Sequence, residues 1–250
     1  MGMGKNMPNS TIIYTAKDHV ASITLNRPEA ANRVNLTLAQ ELEDACRQAN
    51  QDDEVYVVVL EGAGKTFSKG AEGGAVYGVA SSVADIEKPV IIAINGDALG
   101  QGLEIALAGD IRLAADKAKF GFPEVAGGLI PADGGTQRLA RLVGRGKALE
   151  LILAAETITA AEALEVGLVD RVVAGTKLAA EARALAESIA SKGPIALRFI
   201  KEAVNKGLEM TLEQGLRLEG DLYFLLHTTA DRSEGINAFL KKRPPKFKNK

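Results

Sequence analysis

The sequence predicts an α/β core followed by a helical C-terminal segment. Two runs of strand length, VYVVVL at 55–60 and PVIIAI at 89–94, are apolar without alternation, the pattern of strands covered on both faces. Strand patterns concentrate in the first two-thirds of the chain, and from Gly135 onward the pattern is mainly helical. Composition agrees: 250 residues, 46% hydrophobic and 25% charged, can bury a sizeable core and carry no signature of disorder.

The elements follow in order. Residues 11–26 (TIIYTAKDHVASITLN) form two β-branched runs around Lys17-Asp18, a hairpin. Asn35 to Asn50 is amphipathic, with Leu36, Leu38, Leu42 and Cys46 near helical spacing. The strand at 55–62 comes next, and then 62–82, rich in Gly, Ala and Ser and weakly periodic. A second buried strand at 89–96 feeds a helix over Leu99–Gly109 through a Gly-rich turn. Short strands are expected at 111–115 and 118–122, then a Gly/Pro loop at 126–135. In the helical remainder, Leu168–Val173 is the strand candidate. Gly193-Pro194 parts the helix of 177–191 from the next, and 211–225 is another helix. The division expected is an α/β core over 1–190 and a helical segment over 191–250.

Several function classes lose ground at once. Thirty basic against thirty-two acidic residues (net charge −2) lack the basic excess of a nucleic-acid binder. The single cysteine, Cys46, permits no intrachain disulfide, and with only His19 and His227 it cannot furnish a usual zinc site. Neither histidine has an evident partner. No eighteen-residue apolar run exists, so no transmembrane helix is expected. The start, MGMGKNMPNS, has no apolar core of a signal peptide, and Asn6 breaks the myristoylation pattern. The sequons at Asn9 and Asn35 then carry little weight. A soluble cytoplasmic protein is expected.

Three glycine-rich stretches invite functional readings, and two fail. Gly64-Lys65-Thr66 resembles the end of a phosphate-binding loop, but Val59 stands where that motif needs glycine, and the residues after Thr66 make a poor helix. Gly100-Gln101-Gly102 after a buried strand resembles a dinucleotide fingerprint. Its third glycine is Ile105, however, and Glu104 sets a carboxylate where pyrophosphate should bind. What survives is a helix start that receives a smaller negative charge, a transient oxyanion. Glu104 alone is accounted for by the preference of acidic residues for first turns. Twenty residues on, Glu124 in FGFPEV stands on a loop among Phe120, Phe122, Pro123 and Val125, where desolvation would raise its pKa. Two such carboxylates beside an oxyanion site suit acid/base work on an activated carbonyl.

These residues lie in segments that resemble the enoyl-CoA hydratase/isomerase (crotonase) superfamily. They are LNRPEAANRVN (25–35), FSKGAE (67–72), PVIIAINGDALGQGLEIALAGDIRLAA (89–115), AKFGFPEVAGGLIPADGGTQRLARLVG (118–144), the A-x-E-A-L-E-V-G-L-V-D-R-V-V run (160–173) and EGINAFLKKRPPKF (234–247). The resemblance covers nearly the whole chain and implies a spiral of β-β-α units with a C-terminal helical part that forms trimers, often paired into hexamers. It implies an acyl-CoA thioester held by the backbone N–H groups of Ala71 and Gln101, with Glu104 and Glu124 as the hydratase pair. Lys69 in FSKGAE and Lys242 in the C-terminal motif, the latter from a neighbouring subunit, are implied on the coenzyme A side. The implied chemistry is hydration of a 2-enoyl-CoA, with Glu104 taking a proton from water and Glu124 giving one to the α-carbon. No metal or redox cofactor, nucleic acid or membrane is implied.

Two departures leave alternatives open. Gln101 replaces the usual middle glycine of its segment, and Glu72-Gly73-Gly74 leads into a short loop where relatives have a longer one. A double-bond isomerase using one glutamate, or an acyl-CoA-binding homologue without turnover, remain beside the hydratase. Arg138 and Asp170 read as structural, and the Lys/Arg-rich end either as a solvated terminus or as phosphate-binding.

Overall fold

The computed structural model describes residues 10–250, so the leader and myristoylation readings and Asn9 of the first sequon lie outside the described residues. β1 (Ile12–Lys17) and β2 (Val20–Leu25) pair antiparallel. Asp18 and His19 between them both take left-handed backbone (φ 53° and 63°), as a two-residue hairpin turn requires. β2 then joins a parallel series with β3 (Val57–Gly62), β4 (Val90–Ile94), β6 (Ile111–Ala115) and β9 (Arg171–Val173). The six-stranded sheet has the order β1-β2-β3-β4-β6-β9. A three-stranded sheet, order β5-β7-β8, is made of β5 (Ala98–Leu99), β7 (Lys119–Gly121) and β8 (Thr157–Thr159).

The helices run, in chain order, α1 (Leu36–Gln51), α2 (Val79–Ala84), α3 (Gln101–Ala108), α4 (Gly135–Ala154), α5 (Ala160–Glu165), α6 (Leu178–Ala190), α7 (Pro194–Gly207), α8 (Leu212–Leu226) and α9 (Ala230–Leu240). Alternate residues of the large sheet serve two cores. Val58, Leu60, Val90, Ile92 and Ile94 face the larger core, which α1, α2 and α3 share. Val57, Val59, Ile91, Ala93 and Leu113 face Leu178, Ala182, Ala186 and Ala190, the i, i+4 row of α6. Both faces of β3 and β4 are therefore dry, which is why 57–60 and 90–94 carry no polar position. α1 begins where Asn35 Oδ1 accepts a hydrogen bond from the Leu38 amide at 3.0 Å. Its buried face is Leu38, Leu42, Ala45, Cys46 and Ala49; Leu36, expected on that face, is 59% exposed.

The structure departs from expectation where elements are short. The weakly periodic stretch 62–82 contains the start of α2, a helix of six residues, under two turns and too short to show a repeating period. β8 was not foreseen, since three residues with one buried side chain, Ile158, leave almost no pattern. β9 begins at Arg171 rather than Leu168, because the amides of Leu168 and Val169 bond to the Ala163 carbonyl and turn the chain first. α4 is broken at Gly144, which takes φ 77° and ψ 159°. Both histidines have partners: His19 Nδ1 meets the Glu54 carbonyl at 2.8 Å and its ring stacks on Tyr56, while His227 Nδ1 meets the Tyr223 carbonyl at 2.8 Å. Asp170 accepts from the Arg112 amide at 2.8 Å, a structural contact as expected.

α7, α8 and α9 follow the sheet-packed α6. On α8 Leu222 is covered within the chain, whereas Phe224 is 72% and Leu225 53% exposed. The chain end is not a loose solvated tail. It folds back so that buried Asp231 accepts from the amides of Lys248 (2.6 Å) and Asn249 (2.9 Å). Among the described residues no helix is long and apolar enough to cross a membrane.

Candidate active site

Three segments meet at the start of α3. Residues 67–71 run beside β5: Ser68 bridges Ala98, and the Leu99 amide donates to the Ser68 carbonyl at 3.0 Å. On the other side Ala71 bridges Val34, where the Val34 amide donates to Gly70 and the Glu72 amide to Val34, each at 2.8 Å. In such a parallel bridge residues 70 and 72 face Val34, and the N–H of Ala71 faces away from it. Gln101 is the first residue of α3, so its N–H has no acceptor within the helix. Neither amide donates to another group among the described residues. The segments are in close contact, since a Cβ on Gly70 would stand 3.6 Å from the Gln101 nitrogen.

Gly100 makes the turn possible. Its backbone (φ 53°, ψ −129°) is open only to glycine, and a Cβ there would lie 2.5 Å from Glu124 Oε1. The Glu124 carboxyl is thereby held against the entrance of α3. At position 102 a Cβ would come within 2.3 Å of the Ser68 carbonyl, so α3 can approach the 67–71 segment only with glycine there.

The two glutamates are held differently. Glu104, one turn into α3, is 3% exposed, and its Oε1 accepts from the amides of Asp133 and Gly135, both at 2.8 Å. Burial pushes its pKa up and the two amides pull it down, while Asp133 adds repulsion and Arg138 attraction; the net direction is upward. Glu124 opens a one-turn 3-10 helix over Glu124–Gly127 rather than lying on an extended loop. Its Oε2 is buried with no partner. Burial raises its pKa most, its own amide opposes that as the next largest effect, and the charge of Glu104 adds a smaller push upward. Phe120 and Phe122 lie in the core as expected, but Pro123 and Val125 point outward, so the wall against Glu124 is the α3 entrance instead.

The Gln101 side chain turns into the protein. It is 4% exposed, its Nε2 donates to Asp133 Oδ2 at 3.3 Å, and its Oε1 is buried without a partner. Asp133, 5% exposed, also accepts from the Ala80 amide at the start of α2 (2.7 Å) and from Ser81 Oγ (3.3 Å). Sequence reasoning passed over Asp133, although an acid inside the Gly/Pro loop 126–135 was the available signal. Arg138 donates to the Asp133 carbonyl at 2.9 Å and so supports the same loop.

The remaining expected residues lie further out. Lys69 pairs with Asp97 at 3.2 Å beside the 67–71 segment. Lys242 is exposed, on the turn after α9 with φ 49°, and makes no hydrogen bond or ion pair to the residues around Glu104 and Glu124.

Comparison with known proteins agrees with this geometry. The family profile described as enoyl-CoA hydratase/isomerase matches residues 15–250. A probable enoyl-CoA hydratase of Rhizobium meliloti is 42% identical over 257 aligned positions, covering 98% of this chain and 100% of that protein. A crotonyl-CoA hydratase of Syntrophomonas wolfei is 39% identical, covering 98% of this chain and all of that one. The crystal structure of an enoyl-CoA hydratase from Bacillus anthracis superposes with a TM-score of 0.92 at 41% identity, covering 96% of this chain and 100% of the other. With its spiral sheet, its helical end and these relatives along nearly its full length, the chain belongs to the enoyl-CoA hydratase/isomerase family and has the crotonase fold.

Proposed function

We propose that this protein is a 2-enoyl-CoA hydratase, adding water across the 2,3 double bond to give a 3-hydroxyacyl-CoA, or catalysing the reverse. The thioester oxygen accepts from the amides of Ala71 and Gln101, which become stronger donors in effect as enolate charge develops on that oxygen. Glu104 takes a proton from the attacking water, whose oxygen bonds to the β-carbon. Glu124 delivers its proton to the α-carbon. Atoms balance with water alone, so no redox or metal group enters the scheme.

The observation that carries this reading is the unequal treatment of the two carboxyls. Two amides on Glu104 Oε1 favour its ionised form, the state of a base. A buried, unpartnered Oε2 on Glu124 favours its protonated form, the state of an acid. Two nearby carboxyls resist double ionisation, and this asymmetry decides which one holds the proton.

Coenzyme A recognition involving Lys69, with Lys242 supplied by a neighbouring subunit, belongs to the same reading, as do a homotrimer or dimer of trimers and a cytoplasmic location. Support for assembly comes from Phe224, Phe239 and Leu240, which are 72%, 83% and 71% exposed on α8 and α9. The test is a panel of CoA thioesters. Loss of the conjugated absorbance of a 2-enoyl-CoA with formation of the 3-hydroxy product is expected. Migration of the double bond in a 3-enoyl-CoA without hydration would favour an isomerase. Tight binding without conversion would make the protein a carrier.

A further inference from the structure

We propose that Asp133 is a positioning residue that ties the oxyanion donor at Gln101 and the base Glu104 into one unit. The inference rests on the hydratase reading and assigns a role to a residue that touches no reacting atom.

Asp133 reaches both halves of the chemistry at once. Its main-chain N–H donates to Glu104 Oε1 at 2.8 Å, and its side-chain Oδ2 accepts from Gln101 Nε2 at 3.3 Å. The same Oδ2 accepts from the Ala80 amide at 2.7 Å, Oδ1 accepts from Ser81 Oγ at 3.3 Å, and the carbonyl accepts from Arg138 at 2.9 Å. Five contacts from three elements hold a residue that is 5% exposed, so its freedom to move is small. The amide orientation of Gln101 follows from chemistry, because a carboxylate only accepts and Nε2 must face it.

The glutamine is locally costly. Its Oε1 is left buried and unpartnered, which disfavours this side chain relative to a small apolar one. What the side chain supplies is a direct link from the first residue of α3, whose N–H is the proposed oxyanion donor, to the residue that holds Glu104. A displacement of about 1 Å in such a site costs on the order of 10²-fold in rate. Asp133 also places negative charge beside Glu104 and holds its proton on more firmly. Arg138 opposes that effect from α4, and Glu124 is the other acid facing Glu104.

The experiment compares wild type with Asp133→Asn. The substitution keeps the main-chain bond to Glu104, but leaves Ala80 and Gln101 Nε2 only an uncharged acceptor, so both of those bonds weaken as the charge is removed. Turnover should fall roughly 10–100-fold with KM changed far less. The acid limb of the kcat profile should move to lower pH, since the charge that raised the Glu104 pKa is gone. A bound 2-enoyl-CoA carrying an electron-donating ring, whose absorption shifts to the red as its carbonyl is polarised, should show a smaller red shift. Ser81→Ala, which also loses a contact to Asp133, should leave the limb and the red shift in place. If Asp133→Asn does not fold, Gln101→Met carries the test: a smaller red shift with the acid limb unmoved is expected, and an undiminished shift overturns the link. Wild type that neither hydrates a 2-enoyl-CoA nor shifts the probe overturns the hydratase reading, and this role with it. Wild type that does both, beside an Asp133→Asn enzyme of unchanged kcat, limb and red shift, overturns the role of Asp133 alone.

Discussion

The α3 entrance and the C-terminal helices use polar and apolar side chains in opposite ways. Around α3, Glu104, Gln101 and Asp133 lie within the protein, bonded to one another or to backbone amides. From α7 to α9 many large apolar groups lie outside: Leu208, just past α7, and Leu212 are each 79% exposed, and Phe239 is 83% exposed. The polar groups around α3 find most of their partners within one chain. The C-terminal surface keeps large apolar side chains uncovered within one chain, as the proposed assembly requires. Within one molecule, the polar groups are thus anchored in local packing while the outer face stays apolar and exposed.

The largest expected effect breaks the first half of that contrast. Glu104→Gln and Glu124→Gln should each lower turnover by roughly 10²–10⁴-fold while binding of a CoA thioester changes much less. Steady-state kinetics beside calorimetric titration would separate the two, and near-full turnover by Glu104→Gln would end the two-carboxyl scheme. The wild-type pH profile sharpens the same point. Both glutamates are shifted upward from the ordinary glutamate value, so activity should fall as acid protonates the base and as alkali deprotonates the acid. The two limbs belong to the coupled pair rather than to either residue alone.

Next in size is the backbone donor. Gln101→Pro removes the N–H at a helix position where proline otherwise fits, and should cost about 10²–10³ in turnover. Gln101→Gly keeps the N–H and deletes the link to Asp133, so it should fall well short of that loss. Circular dichroism and particle mass must match wild type for the comparison to hold. Equal losses in both variants would move the weight from the amide to the side chain.

The C-terminal surface is tested by mass. Light scattering should report a trimer or hexamer, and Phe224→Asp with Leu225→Asp should reduce it while helix content stays. A wild-type monomer that turns over would remove the proposed contribution of Lys242 across subunits. By contrast, Leu222→Ala deletes a side chain already covered within the chain, and should cost roughly 2–5 kcal/mol of stability.

The smallest effect concerns the returning tail. Glu234 accepts from Arg243 at 2.6 and 2.8 Å and from the Lys246 amide at 2.7 Å, and the Arg243 bond holds its pKa down at about 2. A depressed carboxyl stabilises the tail above its unfolded pKa, and that stabilisation is lost as pH falls from the ordinary carboxylate range toward about 2. Hydrogen exchange at residues 241–250 should therefore speed up across that window before the sheet opens. Exchange that stays flat down to global unfolding would show that Asp231 alone secures the end.

By itself the sequence determined the features with a strong local signature. The hairpin follows from β-branched runs on both sides of a tight turn, and the start of α1 follows from Asn35 before an amphipathic stretch. The doubly covered strands follow from unbroken apolar runs, and the family from long ordered motifs that include Glu104 and Glu124. Only the tertiary structure decided the rest. Asp133 meets Glu104 and Gln101 across 29 and 32 residues, and Ala80 across 53. Bonds at such separations leave no periodicity to read, because they depend on where the loop of 126–135 is carried by β7 and α4. The same holds for the direction of Phe224 against Leu222. Both lie on one helix with similar apolar character, and only packing of α8 on its neighbours decides which one meets water.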